Sequence, residues 1–481
     1  MHELCTLPAT ELAAKIRARE VTVSAVLEAH IARIERVNPL INAVVVDTFE
    51  DARCEAREAD RLLTTVDPET LPPFFGVPFT VKELIAVQGL PWTAGVVARA
   101  HVVADEDAPQ VQRLRAAGAI VIGTTNVSEC GLWLESSNKI YGRTRNPWDL
   151  RRMAGGSTGG EAAIIAAGGS PMGLGADIGG SIRNPCFFNG ICGHKPSGGL
   201  LPAAGHWPPA PGRRARYCVT GPMGRTIEDL TAMMEVLSLE DDPYRDADQP
   251  RFQRRSIQPG KIRVFTFEGT GLARVSRDMK RALSETASAL EYAGFQVEEW
   301  APSRLNRAAE IWGAKLAVTG DPSVSEFLGN GQPISLLSQW ARWPFRRANH
   351  SLISLIMASG EALTHASESQ AEHLIGIADE IRAEIEDKLG DDGVLMFPVY
   401  PRSAPRHHAP LLSPLAFSFC GIVNVLELPG TAVPTGFDRR SMPLGVQIVG
   451  PRFGDSLTLA VAKHVEAAWG GWRPAPLALG A

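Results

Sequence analysis

The stretch GLGADIGGSIRNPCFFNGICGHKPSGG, residues 173–199, places one serine, Ser181, directly after Gly179 and Gly180 and between two short apolar runs. The runs MGLGAD (172–177) and GICGHKPS (190–197) read as strands of the fully buried kind. Fourteen glycines stand between Gly155 and Gly199, although glycine loses more conformational freedom on folding than any other residue. Such density needs a local reason: Ser181 is a nucleophile, a phosphate ligand or simply a small residue in a tight turn.

Outward from this stretch, strand and helix patterns alternate. GVPFTVKEL (76–84) is strand-like, DAPQVQRLRAAG (107–118) is helical, and AIVIGTTN (119–126) is another buried strand. Downstream follow a helix in RTIEDLTAMMEVLSL, a strand in KIRVFTF, a helix near 275–294 and a strand in FQVEEW. DGVLMFPVY, GTAVPTG and PLGVQIVG predict three more strands. A last helix runs through SLTLAVAKHVEAAW with Asp455 as its N-cap. Upstream, the first 65 or so residues read as helices, VTVSAVLEAHIARIERVN having Thr22 and Ser24 as candidate N-caps. The alternation predicts an α/β fold: a large mixed, mostly parallel β-sheet core covered by α-helices on both faces. No linker or repeat interrupts it, so one domain is expected over 1–481. Its parts would be N-terminal helices (1–65), a core (76–205), a mostly helical insertion (300–390), and C-terminal strands with a helix (391–481).

Bulk properties narrow the function. The chain of 481 residues is 44% hydrophobic and 21% charged with net charge -5, which gives no reason to expect a nucleic-acid partner. Seven cysteines, an odd count without a CxxC pair, read as reduced thiols of a cytoplasmic protein rather than a disulfide framework or a zinc site. The N-terminus lacks a signal-peptide pattern, and no run of 18 apolar residues predicts a membrane span.

Four chemistries compete for the glycine-rich region. A phosphate cradle would need GxxxxGK[ST] or GxGxxG, and GLGADIGG misses both. Gly155-Gly156-Ser157-Thr158-Gly159 fits the G-x-S-x-G elbow, but the elbow serine should end an apolar strand, and WDLRRMAGGS is polar. His194, His206, His407 and His408 are the downstream histidines that elbow would draw on. Ser136-Ser137-Asn138-Lys139 fits S-x-x-K, without the companion motifs of that class. The fourth is a Ser-Ser-Lys arrangement of Ser181, Ser157 and Lys82.

For that fourth reading the segments GVPFTVKEL, MAGGSTGGEAA and GLGADIGGSIRNPCFFNGICGHKPSGG together resemble the amidase signature family. Ser157 follows Lys82 by 75 residues and Ser181 follows Ser157 by 24, as in that family's pattern. Within it, IRNPCFFNGICGHKPSGG, GDDGVLMFPVYPRSAPRHHAPL and LTLAVAKHVEAAWGGW are similar to the fatty-acid amide hydrolases, especially the second vertebrate type. The resemblance implies a serine hydrolase in which Ser181 is the nucleophile, Lys82 the base and Ser157 the relay. It implies an oxyanion hole from the N–H groups of Ile178, Gly179, Gly180 and Ser181, and a cis peptide near Ser157. Asp177 and Arg183 would organise the loop. Thr158 stands where the family often has serine, and Gly131 where a vertebrate relative has a substrate-contacting methionine.

Physical chemistry fits this assignment. A lysine at the usual pKa of about 10.4 is neutral in about one molecule in a few thousand at pH 7. The apolar neighbours Val81, Leu84 and Ile85 predict a buried Lys82, and burial lowers an ammonium pKa toward the working range of a general base. The glycines then serve a carbonyl oxygen, since backbone donors must face the substrate without side chains between.

The expected reaction is amide hydrolysis through an acyl-enzyme, without metal or organic cofactor, on small-molecule amides carrying a fatty-acyl or aryl group; esters and carbamates are included. Two alternatives stay open: an amidotransferase subunit needing partner subunits, and a catalytically inactive scaffold. ISLLSQWARWPFRRANHSLISLIMASG (334–360) mixes Leu, Ile, Trp and Phe with Arg342, Arg346 and Arg347. It reads either as a peripheral membrane contact or as buried helices walling the pocket. His206, Trp207, His407 and His408 are candidates for the pocket mouth. No role is assigned to Cys186, and a homodimer stays open.

Overall fold

The structure, a computed structural model, describes residues 1–210, 212–238, 250–317, 322–363 and 368–477. Among the described residues eleven strands join one sheet: β1 (Val44–Asp47), β2 (Pro78–Lys82), β3 (Ile120–Thr125), β4 (Met172–Asp177), β5 (Cys192–Lys195), β6 (Val219–Gly224), β7 (Arg263–Thr266), β8 (Gln296–Glu299), β9 (Gly393–Pro398), β10 (Gly430–Phe437) and β11 (Pro443–Val449). Their spatial order is β1-β3-β2-β4-β6-β5-β10-β11-β9-β7-β8.

The α/β class and the large mixed sheet are as expected. Four of its ten pairings are parallel and six antiparallel, a smaller parallel share than strand–helix alternation suggests. The cause is insertion. β4 and β5 share one direction, but β6 lies between them antiparallel to both; β11 is inserted in the same way between β9 and β10. Each insertion turns one parallel neighbour pair into two antiparallel ones without changing the order of elements along the chain.

Alternation along the strands shows both faces covered. Val394 and Met396 of β9 enter one hydrophobic cluster, Leu395 and Phe397 another. The first cluster draws on helices α1 (Val23–Ile41), α2 (Ile227–Leu237) and α3 (Asp455–Trp469). The other face carries Phe187, Phe188 and Phe419 in one cluster and Ile311, Ile381 and Ile422 in a second.

Local sequence accounts for the ends and exceptions. Thr22 caps α1, accepting from Ala25 N–H at 3.1 Å. Between helices, VVVD forms the edge strand β1 where the N-terminal residues had been expected to be helical throughout. Asp455 is the first residue of α3 rather than its cap: Gly454 holds that position, because the Asp455 carboxylate is drawn inward to Ser197 and His194. The 300–390 segment is mostly helical where described, over Ala308–Ala317, Val324–Leu328, Leu336–Arg342, Leu352–Leu363 and Glu368–Leu389; 318–321 and 364–367 lie outside the described residues. No helix among the described residues is long and apolar enough to cross a membrane.

Candidate active site

Lys82 ends β2, an inner strand buried along its length. Its Nζ lies 2.7 Å from Ser157 Oγ and donates to the Ala176 carbonyl at 3.1 Å. Burial lowers its pKa from 10.5 to about 7, against the opposing pull of Cys218 and Asp177. A substantial fraction is therefore neutral at pH 7, with a lone pair able to take the Ser157 proton. Behind the lysine, Glu161 ties β2 to β3 by accepting from Thr80 and, at 2.9 Å, from Thr125. Burial lifts the Glu161 carboxyl to about 8.

The Gly156–Ser157 peptide is cis. Ser136 Oγ donates to the Ser157 carbonyl at 3.0 Å and accepts from Gly159 N–H at 2.8 Å. Ser136 is thus a buttress of the Ser157 loop, and Lys139 is exposed; the S-x-x-K reading does not fit these contacts. The elbow reading fails as well, since the partner of Ser157 is an amine and no histidine bonds to it among the described residues. Gly131, at φ +70°, lies against this hydroxyl: a Cβ there would come 3.5 Å from Ser157 Oγ and 3.2 Å from Leu84 Cδ2. Thr158 Oγ1 donates to the same Ala176 carbonyl that receives Lys82, at 3.2 Å.

Ser181 follows β4 on the bend Ile178-Gly179-Gly180 and is 8% exposed. The N–H groups of Ile178, Gly179 and Ser181 have no protein acceptor among the described residues. Gly180 differs from expectation: its N–H donates to Asp177 Oδ1 at 2.7 Å, so it braces the bend instead of joining the donors. Only glycine suits that position, where φ is +112° and a Cβ would lie 2.4 Å from Asn184 Nδ2 and 2.7 Å from Cys420 Cβ.

Asp177 and Arg183, both fully buried, hold the bend from beneath. Asp177 also accepts from Ile182 N–H at 3.1 Å and Asn424 Nδ2 at 3.0 Å. Arg183 donates to Asn424 Oδ1 at 2.6 Å, Gln447 Oε1 at 2.9 Å and the Cys420 carbonyl at 3.1 Å. Burial alone would raise the Asp177 pKa; the Arg183 guanidinium and the N–H donors hold it far below the usual carboxylate range. These contacts tie both residues to the bend and to the strands and helix behind it. Asn424 and Gln447 escaped the sequence reading, although each is a polar residue flanked by apolar ones, in GIVNV and PLGVQIV, a pattern that marks a buried hydrogen-bond partner.

None of the four histidines hydrogen-bonds to Lys82, Ser157 or Ser181 among the described residues, although His206 lies near enough for the Lys82 charge to act on it. His194 bonds Thr431 and Asp455 in the core, His407 bonds Glu135, and His408 bonds Arg143. His206 bonds the Pro208 carbonyl, with Cys218 Sγ at 3.8 Å; burial presses its pKa to about 3. Cys186 is a buried thiol whose pKa burial raises far above normal. The helical insertion docks beside Gly131: Glu129 accepts from His350 Nδ1 at 2.8 Å, Ser351 N–H at 2.8 Å and Ser354 Oγ at 2.7 Å. Its outer side leaves Leu337 (87%) and Phe345 (73%) exposed, with Trp343 and Ile356 partly so, which does not fit a wholly buried pair of helices.

Among known proteins, the family model described as Amidase matches residues 25–459. The chain is 40% identical to fatty-acid amide hydrolase 2-B of Danio rerio, over 98% of this chain and 91% of that protein. It is 37% identical to fatty-acid amide hydrolase 2 of Homo sapiens, over 98% and 90%. A solved fatty acid amide hydrolase superposes with a TM-score of 0.81 at 24% identity, covering 97% of this chain and 86% of that one, a likeness of fold.

Proposed function

Since the chain belongs to the amidase family and is an amide-hydrolysing enzyme, we propose that it works through Ser181, Ser157 and Lys82 on amides with an apolar fatty-acyl or aryl group, and on the corresponding esters and carbamates. Ser181 Oγ attacks the carbonyl carbon while its proton passes to Ser157, whose own proton passes to Lys82. The developing oxyanion is met by the free N–H groups of the Ile178–Ser181 bend. The relay then runs backward: the C–N bond breaks, the departing nitrogen takes the proton, and the acyl group stays on Ser181. Water, deprotonated by the same relay, releases the acid.

The observation that supports this reading is the buried Lys82 Nζ at 2.7 Å from Ser157 Oγ, a contact an inactive scaffold has no need to keep. The test uses a long-chain acyl anilide and a fluorophosphonate probe. Ser181→Ala should abolish turnover and labelling, and Lys82→Ala should cut turnover by ~10²-fold or more. Full activity in either variant would overturn the assignment. Turnover by the purified chain alone also separates a hydrolase from an amidotransferase subunit. A second reading, peripheral membrane contact, is favoured by the exposed Leu337 and Phe345 beside the exposed Arg342, Arg346 and Arg347; such a mixed basic and apolar surface suits a bilayer interface.

A further inference from the structure

The bend that carries the free donors has an anchor outside the signature segments. Trp312, on the helix Ala308–Ala317, donates its indole Nε1–H to the Ile178 carbonyl at 2.8 Å. The ring lies beside the next residue: a Cβ on Gly179 would sit 3.4 Å from Trp312 Nε1 and 3.6 Å from Cε2. Phe417 packs against it in a T-shaped arrangement, 4.9 Å between centroids. Trp312 itself is half-buried.

The Ile178 carbonyl and the Gly179 N–H belong to one peptide unit. That unit is trans, the cis peptides among the described residues being Gly156–Ser157 and Trp207–Pro208. In a planar trans peptide the C=O and N–H point in opposite directions. Holding the carbonyl therefore fixes the direction of the N–H. Without the indole, glycine at 179 would let this peptide rotate at little cost, and the donor would spend part of its time turned away. Gly180 N–H, committed to Asp177, fixes the following peptide in the same way but does not reach this one.

We propose that Trp312 is a positioning residue for the reaction: it locks the Ile178–Gly179 peptide so that Gly179 N–H is aimed, before substrate arrives, at the place where the carbonyl oxygen becomes negative. The proposal rests on the Ser181 reading above. Preorganised donors act on the transition state more than on bound substrate, so loss of the lock lowers kcat and leaves KM nearly unchanged. A ring that merely shaped the pocket would do the reverse.

Two variants separate the roles. Trp312→Phe keeps an aromatic ring against Phe417 and removes the donor. Trp312→Gln removes the ring but supplies an amide N–H at the same distance along the side chain from Cα. With the acyl anilide, Trp312→Phe should lose ~10–100-fold in kcat with KM within about twofold, a part of the ~10²–10³ typical of a deleted oxyanion donor. Trp312→Gln should recover most of kcat while its KM rises. A trifluoromethyl ketone, which presents an oxyanion once Ser181 adds to it, should lose affinity for Trp312→Phe in proportion to kcat/KM. The proposal is overturned if Trp312→Phe keeps kcat within twofold, if its defect is confined to KM, or if Trp312→Gln is no better than Trp312→Phe. Failure of the underlying reading registers separately, as turnover by Ser181→Ala.

Discussion

Lys82→Met tests the electrostatics of the site through stability rather than turnover. The unfolded chain keeps a proton on Lys82 up to about pH 10.5, whereas the folded protein keeps it only below about 7. Between these values the unfolded state holds more protons, so raising the pH stabilises the fold. At ~1.36 kcal/mol per pH unit the buried ammonium costs about 5 kcal/mol below pH 6 and about 4 kcal/mol at pH 7, falling below about 1 kcal/mol by pH 10. Methionine, close in shape, avoids this cost but loses the contacts to Ser157 Oγ and Ala176 O, at about 0.5–1.5 kcal/mol each. The Ala176 carbonyl keeps Thr158 as a donor. The variant should therefore be inactive yet about 1–3 kcal/mol more stable than the native protein at pH 7. The advantage should shrink through pH 8 and 9 and reverse near pH 10. Urea unfolding midpoints of both proteins over this range make the measurement, and other titrating groups cancel because the two share them. A variant less stable at pH 7, or a difference that does not change with pH, would refute the reasoning.

Two other outcomes follow from the same structure. The acylation rate, read as kcat/KM, should show an acid limb with a midpoint near pH 7, falling about tenfold per pH unit below it as Lys82 becomes protonated; a midpoint above pH 9 would contradict the buried base. Leu337→Ser with Phe345→Ser should weaken co-sedimentation with anionic phospholipid vesicles by at least about tenfold, each apolar side chain contributing roughly 1.5–3 kcal/mol when buried, and vesicle binding equal to the native protein's would exclude this surface as the contact.

What the sequence disclosed divides by the range of the interaction. The Lys82–Ser157 contact and the bend at Ser181 were legible because each of these residues stands in a local motif whose backbone demands, glycines above all, are written beside it. Asp177 and Arg183 were legible for the same reason. Trp312, Asn424, Gln447 and Ser136 were not, since their partners lie in other segments and only the fold brings them together. Gly180 shows a subtler limit: its glycine was evident, but which way its N–H points depends on the Asp177 carboxylate. The balance of parallel and antiparallel pairing was hidden because buried strands of both kinds share the same apolar pattern. Strand β1 was hidden because four residues between long helices carry too little periodicity to register.

The buried partners of Arg183 also have an implication for biosynthesis. Asn424 and Gln447 lie 241 and 264 residues further along the chain, so the bend bearing Ser181 is completed by segments the ribosome makes long after it. Until those segments dock, the Arg183 guanidinium lacks the acceptors that hold it under Asp177, and Ser181 has no fixed loop to act from. On the function proposed above, a half-made chain would carry Lys82, Ser157 and Ser181 and still be silent, switching on its chemistry only when β10 and β11 have closed the sheet.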